Sequence, residues 1–243
     1  MKPLYRRPES LRDRPTHYCP GCGHGVVHRI IAEVVDELGI RERTIGIAPV
    51  GCAVLAYDYF NFDVMEAPHG RPPAVATGIK RVLPDRIVFT YQGDGDLAAI
   101  GTGEIIHAAL RGERITVIFV NNSLYGMTGG QMAPTTLLGQ KTATTPFGRD
   151  SQREGYPWNV VEVLNLFPGV TYLARGAIAG PGNIRKAKKF VKKAFSNQLE
   201  NKGLALVEIL SPCPINLRLE PRQAIEWVEK HLAKAFPLGE FKT

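Results

Sequence analysis

The stretch IVFTYQGDGDLAAIGTGEIIHAALRGERITVIFVNN, residues 87–122, decides the fold class. It predicts a strand over 87–92, a helix over 97–111 and a second strand over 115–122, because two apolar, β-branched runs flank a segment with helical periodicity. The strands of such a βαβ unit are parallel, and a right-handed crossover joins them. The sequence therefore predicts an α/β fold built on a mainly parallel sheet that is flanked by helices.

The segments on either side extend this pattern to the rest of the chain. Further helices are predicted over 23–39, 71–83, 158–167, 182–200 and about 221–236, and further strands over 44–51, 170–175 and 203–210. Residues 123–156 are rich in Gly, Thr and Pro, and a loop of that length inside a compact domain is usually functional. The composition does not change along the chain, so we predict one α/β domain over residues 1–243, with an extended N-terminal segment over 1–16.

The composition and the charge restrict the partners and the location of the protein. No apolar run reaches the roughly 18 residues that span a bilayer, so we expect no membrane association. The net charge is +7, but the basic residues are not interleaved with aromatic ones, and we expect no nucleic-acid partner. No apolar segment typical of a signal peptide follows the basic N-terminus, which favours a cytoplasmic protein. The basic cluster over 185–193 is typical of the solvated face of an amphipathic helix, with docking of an acidic partner as the alternative.

Two neighbouring strands of the predicted sheet end in polar residues. The sequence GDGD, residues 93–96, follows the first of them at the carboxyl edge of the sheet, where ligands bind. Its glycines let the backbone approach a ligand, and the next helix N-terminus favours an anion, whereas Asp94 suits a phosphate only through a divalent cation. Asn121 and Asn122 end the next strand, and Mg²⁺ binds a few such protein oxygens together with phosphate oxygens. GDG on its own is also a common turn.

Four cysteines are spread along the chain. Cys19 and Cys22 form a Cys-x-x-Cys in the turn before the first helix, while Cys52 and Cys213 each follow a predicted strand. They could be small apolar core residues, or the first two could bind zinc or cycle as a dithiol. The wide spread argues against structural zinc, and a dithiol leaves two cysteines unexplained. A [4Fe–4S] cluster needs four thiolates and tolerates wide spacing, although spacing alone does not establish it.

The short motifs, in their order, resemble the β subunits of 2-oxoacid:ferredoxin oxidoreductases, which bind thiamine diphosphate. The resemblance covers about residues 16–220 and rests on CPGCGH (19–24), VGCAV (50–54), PHGRPPAVATG (68–78), GDGD, VNNSLYGMTGGQMAPTT (120–136) and SPC (211–213). It implies that the chain is a single thiamine diphosphate-binding domain. The implied Mg²⁺ ligands are Asp94, Asn122 and the carbonyl of Leu124, and the implied [4Fe–4S] ligands are Cys19, Cys22, Cys52 and Cys213.

The resemblance also implies a set of cofactor contacts and several partners. The contacts are Gly51, Cys52, His69, Gly70, Arg71, Gly93, Asp94, Gly95, Asp96, Asn122, Leu124, Tyr125, Gly126, Met127 and Thr128. In the family, the glutamate that activates the cofactor lies on a separate pyrimidine-binding α subunit. No glutamate here matches that role, so we expect the isolated chain to be inactive. Further implied partners are γ and ferredoxin-like δ subunits, ferredoxin, a 2-oxo acid and coenzyme A.

The substrate expected from the resemblance is a branched-chain 2-oxo acid. Relatives that act on 2-oxoglutarate resemble YGLTKGQ in the loop where this chain has YGMTGGQ, with a glycine in place of the lysine. The missing cation disfavours a dicarboxylate, and we expect the glycine to leave space for an apolar side chain. The implied reaction is oxidative decarboxylation of 2-oxoisovalerate to acyl-CoA and CO2, with electrons passed through the cluster to ferredoxin. The alternatives are a 2-oxoglutarate enzyme, a non-redox thiamine diphosphate lyase or synthase subunit, and a scaffolding subunit without cofactor.

Overall fold

The computed structural model describes residues 6–243, so the first five residues of the predicted N-terminal segment lie outside the described part. A seven-stranded sheet has the order β2–β1–β3–β4–β8–β7–β9, and all its neighbouring strands are parallel except β7 and β9. These strands are β1 (Thr44–Ala48), β2 (Asp63–Glu66), β3 (Ile87–Gly93), β4 (Thr116–Asn121), β7 (Val170–Ala177), β8 (Leu204–Leu210) and β9 (Gly239–Lys242). The prediction of a mainly parallel sheet flanked by helices is confirmed.

Helices cover both faces of the sheet. They are α1 (His24–Glu37), α2 (Ala56–Tyr59), α3 (Pro72–Val82), α4 (Thr102–Arg111), α5 (Ser151–Glu154), α6 (Val160–Asn165), α7 (Gly180–Leu199), α8 (Pro214–Leu217), α9 (Pro221–Trp227) and α10 (Ala233–Ala235). A π-helical turn, Gly95–Ile100, precedes α4, and a second one, Val228–Leu232, joins α9 to α10. None of the described helices is long and apolar enough to cross a membrane.

Alternate residues of the central strands enter two separate cores. Phe89 of β3 packs with Ile31 of α1 and Phe195 of α7, whereas Val88 packs on the opposite face with Ile105 of α4. A strand that is buried on both faces has a nearly continuous apolar sequence, which explains the run at 87–91, interrupted only by the buried Thr90. Helix α7 is amphipathic, as its sequence predicts. On its polar side, Lys188 forms ion pairs with acidic residues of α1.

The structure corrects the sequence-based description at several points. Residues 123–156 are not without regular structure, because β5 (Leu124–Tyr125) and β6 (Gln131–Met132) form a short antiparallel hairpin within them. Strand β9 is antiparallel and was not predicted, and neither was the short strand β2. The helix after β3 begins at Gly95 rather than near residue 97, because its first turn is π-helical. Elements of two to four residues are too short to produce a recognisable periodicity.

One buried side chain holds the second half of the 123–156 segment in place. Arg149 is 6% exposed and donates hydrogen bonds of 2.5–3.2 Å to five backbone carbonyl oxygens. The acceptors belong to Pro134, Thr136, Glu154, Gly155 and Tyr156. A guanidinium has five N–H donors in a fixed plane, so a single arginine can satisfy carbonyl groups that have no strand partner. The segment is therefore an ordered loop.

The sheet order determines which loops meet. Strands β1, β3, β4 and β8 are consecutive neighbours and point in the same direction. Their carboxyl ends lead to Cys52, Asp94, Asn122 and Cys213, respectively. Residues that lie far apart in the sequence therefore reach one edge of the sheet, which is where open parallel sheets bind ligands.

Candidate active site at the carboxyl edge

Asp94 is the buried acid at the centre of this edge. It is 3% exposed, and its carboxylate accepts hydrogen bonds from the backbone N–H groups of Gly95 (2.9 Å) and Leu124 (3.1 Å) and from the hydroxyl of Thr135 (3.0 Å). Burial raises the pKa of Asp94 to about 7, and the hydrogen bonds act in the opposite direction. A buried carboxylate with an elevated pKa is a good ligand for a cation, because the ion compensates the lost hydration.

Two further oxygen-bearing groups adjoin Asp94. One end of the Asn122 side-chain amide lies 3.3 Å from Asp94 Oδ2 and 2.6 Å from the carbonyl oxygen of Leu124. With its nitrogen at that end, the amide donates to both oxygens. With its oxygen there, the amide oxygen accepts from the backbone N–H of Leu124 (3.3 Å) and faces two further acceptor oxygens, and a cation resolves that arrangement. The donor set of carboxylate, amide and carbonyl oxygens is the one that Mg²⁺ prefers.

The second acid of GDGD has a different environment. Asp96 accepts hydrogen bonds from His69 Nδ1 (2.5 Å), the backbone N–H of Gly70 (2.7 Å) and Gln92 Nε2 (2.6 Å). Burial raises the pKa of Asp96, although these donors oppose the shift. Asp96 thus fixes the turn over 68–71 against the start of the helix after β3. Arg71 points away and forms an ion pair with Glu104 of α4.

A cavity of about 120 Å³ lies between these groups and the cysteines. All the predicted cofactor contacts line it except Gly70 and Arg71. Its lining residues are His24, Val50, Gly51, Cys52, Ala53, His69, Gly93, Asp94, Gly95, Asp96, Asn122, Leu124, Tyr125, Gly126, Met127 and Thr128. Pockets that enclose a whole ligand usually have volumes of roughly 300–1,000 Å³, so this cavity receives only part of a molecule the size of thiamine diphosphate.

Three lining residues, His24, Val50 and Ala53, were not among the predicted contacts. Their positions inside the CPGCGH and VGCAV motifs could have indicated that they lie at the site. The Tyr125 ring lies directly against Gly95, where any side chain would overlap its ring atoms. The glycine at position 95 is therefore required by the hairpin that covers this turn.

The structure brings the four cysteines together. Gly23 packs against Ser211 and Pro212, which places the turn of Cys19 and Cys22 beside the SPC segment. A Cβ atom at Gly126 would lie 3.2 Å from Cys52 Sγ and 3.9 Å from Cys213 Sγ. All four cysteines are free thiols; Cys19 is exposed, and the other three are partly buried.

The thiols interact electrostatically. Burial raises the pKa of Cys22 to about 12, and the thiols of Cys213, Cys52 and Cys19 raise it further, against a backbone hydrogen bond from His24. Burial likewise raises the pKa of Cys52 to about 11, with Cys213 and Cys19 contributing. Each of these groups favours its protonated form because burial disfavours the thiolate, and a second thiolate nearby adds to this effect. A bound metal centre reverses this preference, since coordinated thiols are deprotonated.

The loop after β5 contacts the last cysteine through Asn216 of α8. The amide nitrogen of Asn216 donates to the carbonyl oxygen of Gly126 (2.7 Å) and to Cys213 Sγ (3.4 Å). Gly130 has a φ of +81°, and a Cβ atom there would lie 2.9 Å from Asn216 Cβ. The lysine of YGLTKGQ aligns with the neighbouring Gly129, where a Cβ atom would meet no other atom within 4 Å, so the expected space for an apolar side chain stays a prediction.

Comparisons with known proteins show the family of this chain. The C-terminal TPP-binding domain of thiamine pyrophosphate enzymes matches residues 49–209, more than half of the chain. The 2-oxoacid:ferredoxin oxidoreductase subunit beta of Sulfolobus sp. is 32% identical over 92% of this chain and 70% of its own length. The chain belongs to this family of 2-oxoacid:ferredoxin oxidoreductase β subunits. Also in this group, the 2-oxoglutarate synthase subunit KorB of Methanocaldococcus jannaschii is 37% identical over 94% of the chain and 84% of its own length.

A more similar relative is considerably longer than this chain. The ketoisovalerate oxidoreductase subunit VorA of Methanothermobacter thermautotrophicus is 49% identical over 99% of the chain, which spans 53% of that protein. The chain thus spans about half the length of the VorA relatives that it matches. Among solved structures, the 2-oxoglutarate:ferredoxin oxidoreductase from Magnetococcus marinus, with 2-oxoglutarate, coenzyme A and succinyl-CoA bound, matches all of this chain and 87% of its own chain. The TM-score is 0.79, and the sequences are 28% identical.

Proposed function

We propose that this chain is the diphosphate-binding, cluster-carrying β subunit of an enzyme that oxidatively decarboxylates a 2-oxo acid to its acyl-CoA. The observation that carries the proposal is the convergence of oxygen ligands from Asp94, Asn122 and Leu124 beside two cysteine sulfurs, around one cavity. These oxygens hold Mg²⁺, and the ion anchors the diphosphate of thiamine diphosphate. The turn glycines and the N–H groups at the start of the helix after β3 face the same anion.

The four cysteines hold a [4Fe–4S] cluster. A cluster of this kind takes one thiolate from each of Cys19, Cys22, Cys52 and Cys213. Among the described residues, no set of three or more His, Cys, Asp or Glu side chains is arranged to bind a single metal ion, as a zinc site requires. Cys52 lines the cavity of the proposed metal ligands, and this supports a cluster next to the cofactor.

The residues of this chain bind, orient and shield the cofactors, and the bound cofactors supply the chemistry. Thiamine diphosphate supplies the electron sink for decarboxylation, and the cluster passes single electrons onward to ferredoxin. Asp96 and His69 hold the turn at the cavity wall, and the hairpin around Tyr125 covers the metal side. No glutamate is among the described residues that line the cavity. The pyrimidine-binding α subunit supplies that carboxylate and closes the site, so the isolated chain is inactive.

The proposed substrate is a branched-chain 2-oxo acid, with 2-oxoisovalerate as its representative. Support comes from the absence of a lysine in the YGMTGGQ loop and from the similarity to a ketoisovalerate oxidoreductase subunit. The enzyme works in the cytoplasm with coenzyme A and ferredoxin, and γ and ferredoxin-like δ subunits complete it. Residues 124–128, which belong to the hairpin, line the cavity and contact the substrate together with the α subunit.

One observation favours 2-oxoglutarate as a second candidate. A cleft beside Gly130 is lined by Lys141 and Arg218, and neither forms a salt bridge within the described part of the chain. Two cations next to the loop where relatives have a lysine can meet a second carboxylate. The kcat/KM ratio of the assembled enzyme for 2-oxoisovalerate and 2-oxoglutarate separates the two candidates. A preference for the dicarboxylate that is lost in Lys141→Met and Arg218→Met would select the second.

The test of the proposed function uses the chain purified with its neighbouring subunits under anoxia. We expect about four iron and four sulfide per chain, lost in Cys213→Ser, and Mg²⁺-dependent binding of thiamine diphosphate that is lost in Asp94→Asn. Asp85→Asn removes an exposed carboxylate and is the matched control. Binding of thiamine diphosphate without iron would leave a non-redox lyase or synthase. Binding of neither cofactor would support the scaffolding subunit.

A further inference from the structure

Two adjoining clefts form a groove on the surface beside the last cysteine. Their volumes are about 500 Å³ and about 400 Å³, and Lys141 and Leu217 line both of them. One wall of the groove is α8, which begins directly after Cys213. Asn216 belongs to this wall, and its side-chain amide donates to Cys213 Sγ (3.4 Å). The groove therefore lies within one helical turn of a proposed cluster ligand.

The groove combines exposed apolar side chains with cations. Its apolar lining includes Leu138 and Ile215, which are 48% and 60% exposed. Lys141 and Arg218 are exposed, and neither forms an ion pair within residues 6–243. No aspartate or glutamate is among the described residues that line either cleft. An apolar strip beside cations without counter-ions fits a partner protein that carries negative charge.

The basic cluster over 185–193 in α7 is a different kind of surface. Lys188 and Lys192 form ion pairs with glutamates of α1, and Lys193 forms one with Glu240 of β9. These acids compensate much of the positive charge of the cluster, whereas the cations of the groove have no such compensation in the described part of the chain. The groove is therefore the stronger attractor for an acidic protein next to the cysteines.

We propose that this groove is the docking site of a small, acidic electron-transfer protein that takes electrons from the cluster. The proposal rests on the proposed function, because it assumes that the four cysteines hold a [4Fe–4S] centre. In each encounter one electron leaves the reduced cluster and enters the carrier, so the cluster is oxidised, the carrier is reduced, and no bond is made or broken. A carrier that leaves after each transfer binds through a small interface that depends on charge, whereas a permanent subunit needs a larger apolar surface. Two cations beside a short apolar strip meet the first requirement.

The test measures binding and electron transfer in the assembled enzyme with 2-oxoisovalerate as substrate. The probes are an oxidised acidic ferredoxin, whose dissociation constant is measured by biolayer interferometry, and methyl viologen, a small acceptor that needs no docking site. In Lys141→Met/Arg218→Met we expect the dissociation constant for ferredoxin to rise about tenfold at low salt. The ratio of kcat/KM for ferredoxin to kcat/KM for methyl viologen should fall by a similar factor. Added salt should weaken ferredoxin binding less in this variant than in wild type, because the screened charges are missing.

Two further variants sharpen the test. Arg185→Met/Lys189→Met removes one arginine and one lysine from exposed positions of α7 and is the matched control, in which we expect no change. Leu138→Glu places a negative charge in the groove and leaves both cations present. It should also raise the dissociation constant for ferredoxin, while methyl viologen reduction stays as in wild type.

The outcomes separate this inference from the proposed function. A wild-type enzyme without iron and sulfide contradicts the proposed function itself. A full cluster with unchanged ferredoxin binding in Lys141→Met/Arg218→Met and in Leu138→Glu overturns the inference alone. An equal loss of binding in the α7 control also overturns it, since the overall charge then attracts the carrier. Loss of a subunit from Lys141→Met/Arg218→Met in gel filtration overturns it as well, because the groove is then a permanent interface.

Discussion

The buried ion pair between Arg175 and Glu208 is the contact whose removal we expect to destabilise the fold most. Arg175 Nε lies 2.6 Å from Glu208 Oε2, and the two side chains are 0% and 1% exposed. Glu208 Oε1 also accepts from the amide of Asn121 (2.6 Å). Arg175 donates further to the side chain of Asn159 (2.5 Å) and to the carbonyl oxygen of Pro237 (3.1 Å). The pair links β7, β8 and β4 at the centre of the sheet.

The magnitude follows from what each substitution leaves behind. Arg175→Met keeps most of the side-chain length but leaves the Glu208 carboxylate buried with one amide donor. Leaving one charge of a buried pair without its partner destabilises a protein by about 3–5 kcal/mol. In Arg175→Met/Glu208→Leu no buried charge is left, and apolar replacements of such pairs are often neutral or stabilising. We therefore expect the double variant to recover most of the loss.

Urea unfolding followed by circular dichroism measures both effects, with the slope m confirming that the two-state treatment applies. The exposed pair of Lys202 and Glu200 provides the control. Lys202→Met should change the free energy of unfolding by less than about 1 kcal/mol, because solvent screens such pairs. The reasoning is refuted if Arg175→Met destabilises no more than Lys202→Met, or if the double variant is as unstable as Arg175→Met alone.

Three further predictions concern other buried features. Burial and neighbouring imidazoles lower the pKa of His28 well below 6.5. Below about pH 6.5 the unfolded chain therefore binds a proton at His28 that the folded chain does not bind. The free energy of unfolding should fall as the pH drops through this range. His28→Leu should weaken this dependence in urea unfolding at pH 8 and pH 5. Gly95→Ala should move Tyr125 off the turn and weaken Mg²⁺-dependent thiamine diphosphate binding at least tenfold by calorimetry, whereas Gly103→Ala, at an open helical position, should not. Arg149→Met should make the loop over 134–156 sensitive to limited proteolysis.

Each of these predictions has an outcome that contradicts it. An unchanged pH slope in His28→Leu would mean that other groups dominate the acid sensitivity. Equal cofactor affinity in Gly95→Ala and wild type would show that the Tyr125 ring moves without consequence. For the loop, resistance of Arg149→Met to protease would show that other contacts order it. Arg153→Met is the matched control, since Arg153 is an exposed arginine of the same segment.

Local patterns in the sequence were sufficient to predict most of the sheet and the helices. The apolar run of β3 and the GDGD turn predicted a strand end with ligand-binding capacity, and the structure places Asp94 there. The family resemblance, confirmed by the comparisons, indicated which distant residues belong together. Residues fixed by tertiary contacts were not predictable in this way. The contact of Asn216 with Gly130 and the five hydrogen bonds of Arg149 to carbonyl oxygens depend on the packing of separate loops. No local sequence pattern indicates them.

The order of the strands accounts for the presence of both proposed cofactor sites in one chain. Strand β4 lies between β3 and β8, so its final turn adjoins both the GDGD turn and the segment of Cys213. Two hydrogen bonds of Asn121 stabilise that turn. Its side-chain amide donates to Glu208 of β8, and its Oδ1 accepts from the backbone N–H of Ser123 (3.0 Å). Ser123 takes a positive φ of 64° that serine rarely adopts, which turns the chain sharply after Asn122. Through Asn121, the buried ion pair at the sheet centre thus supports the position of the next residue, Asn122, a proposed magnesium ligand.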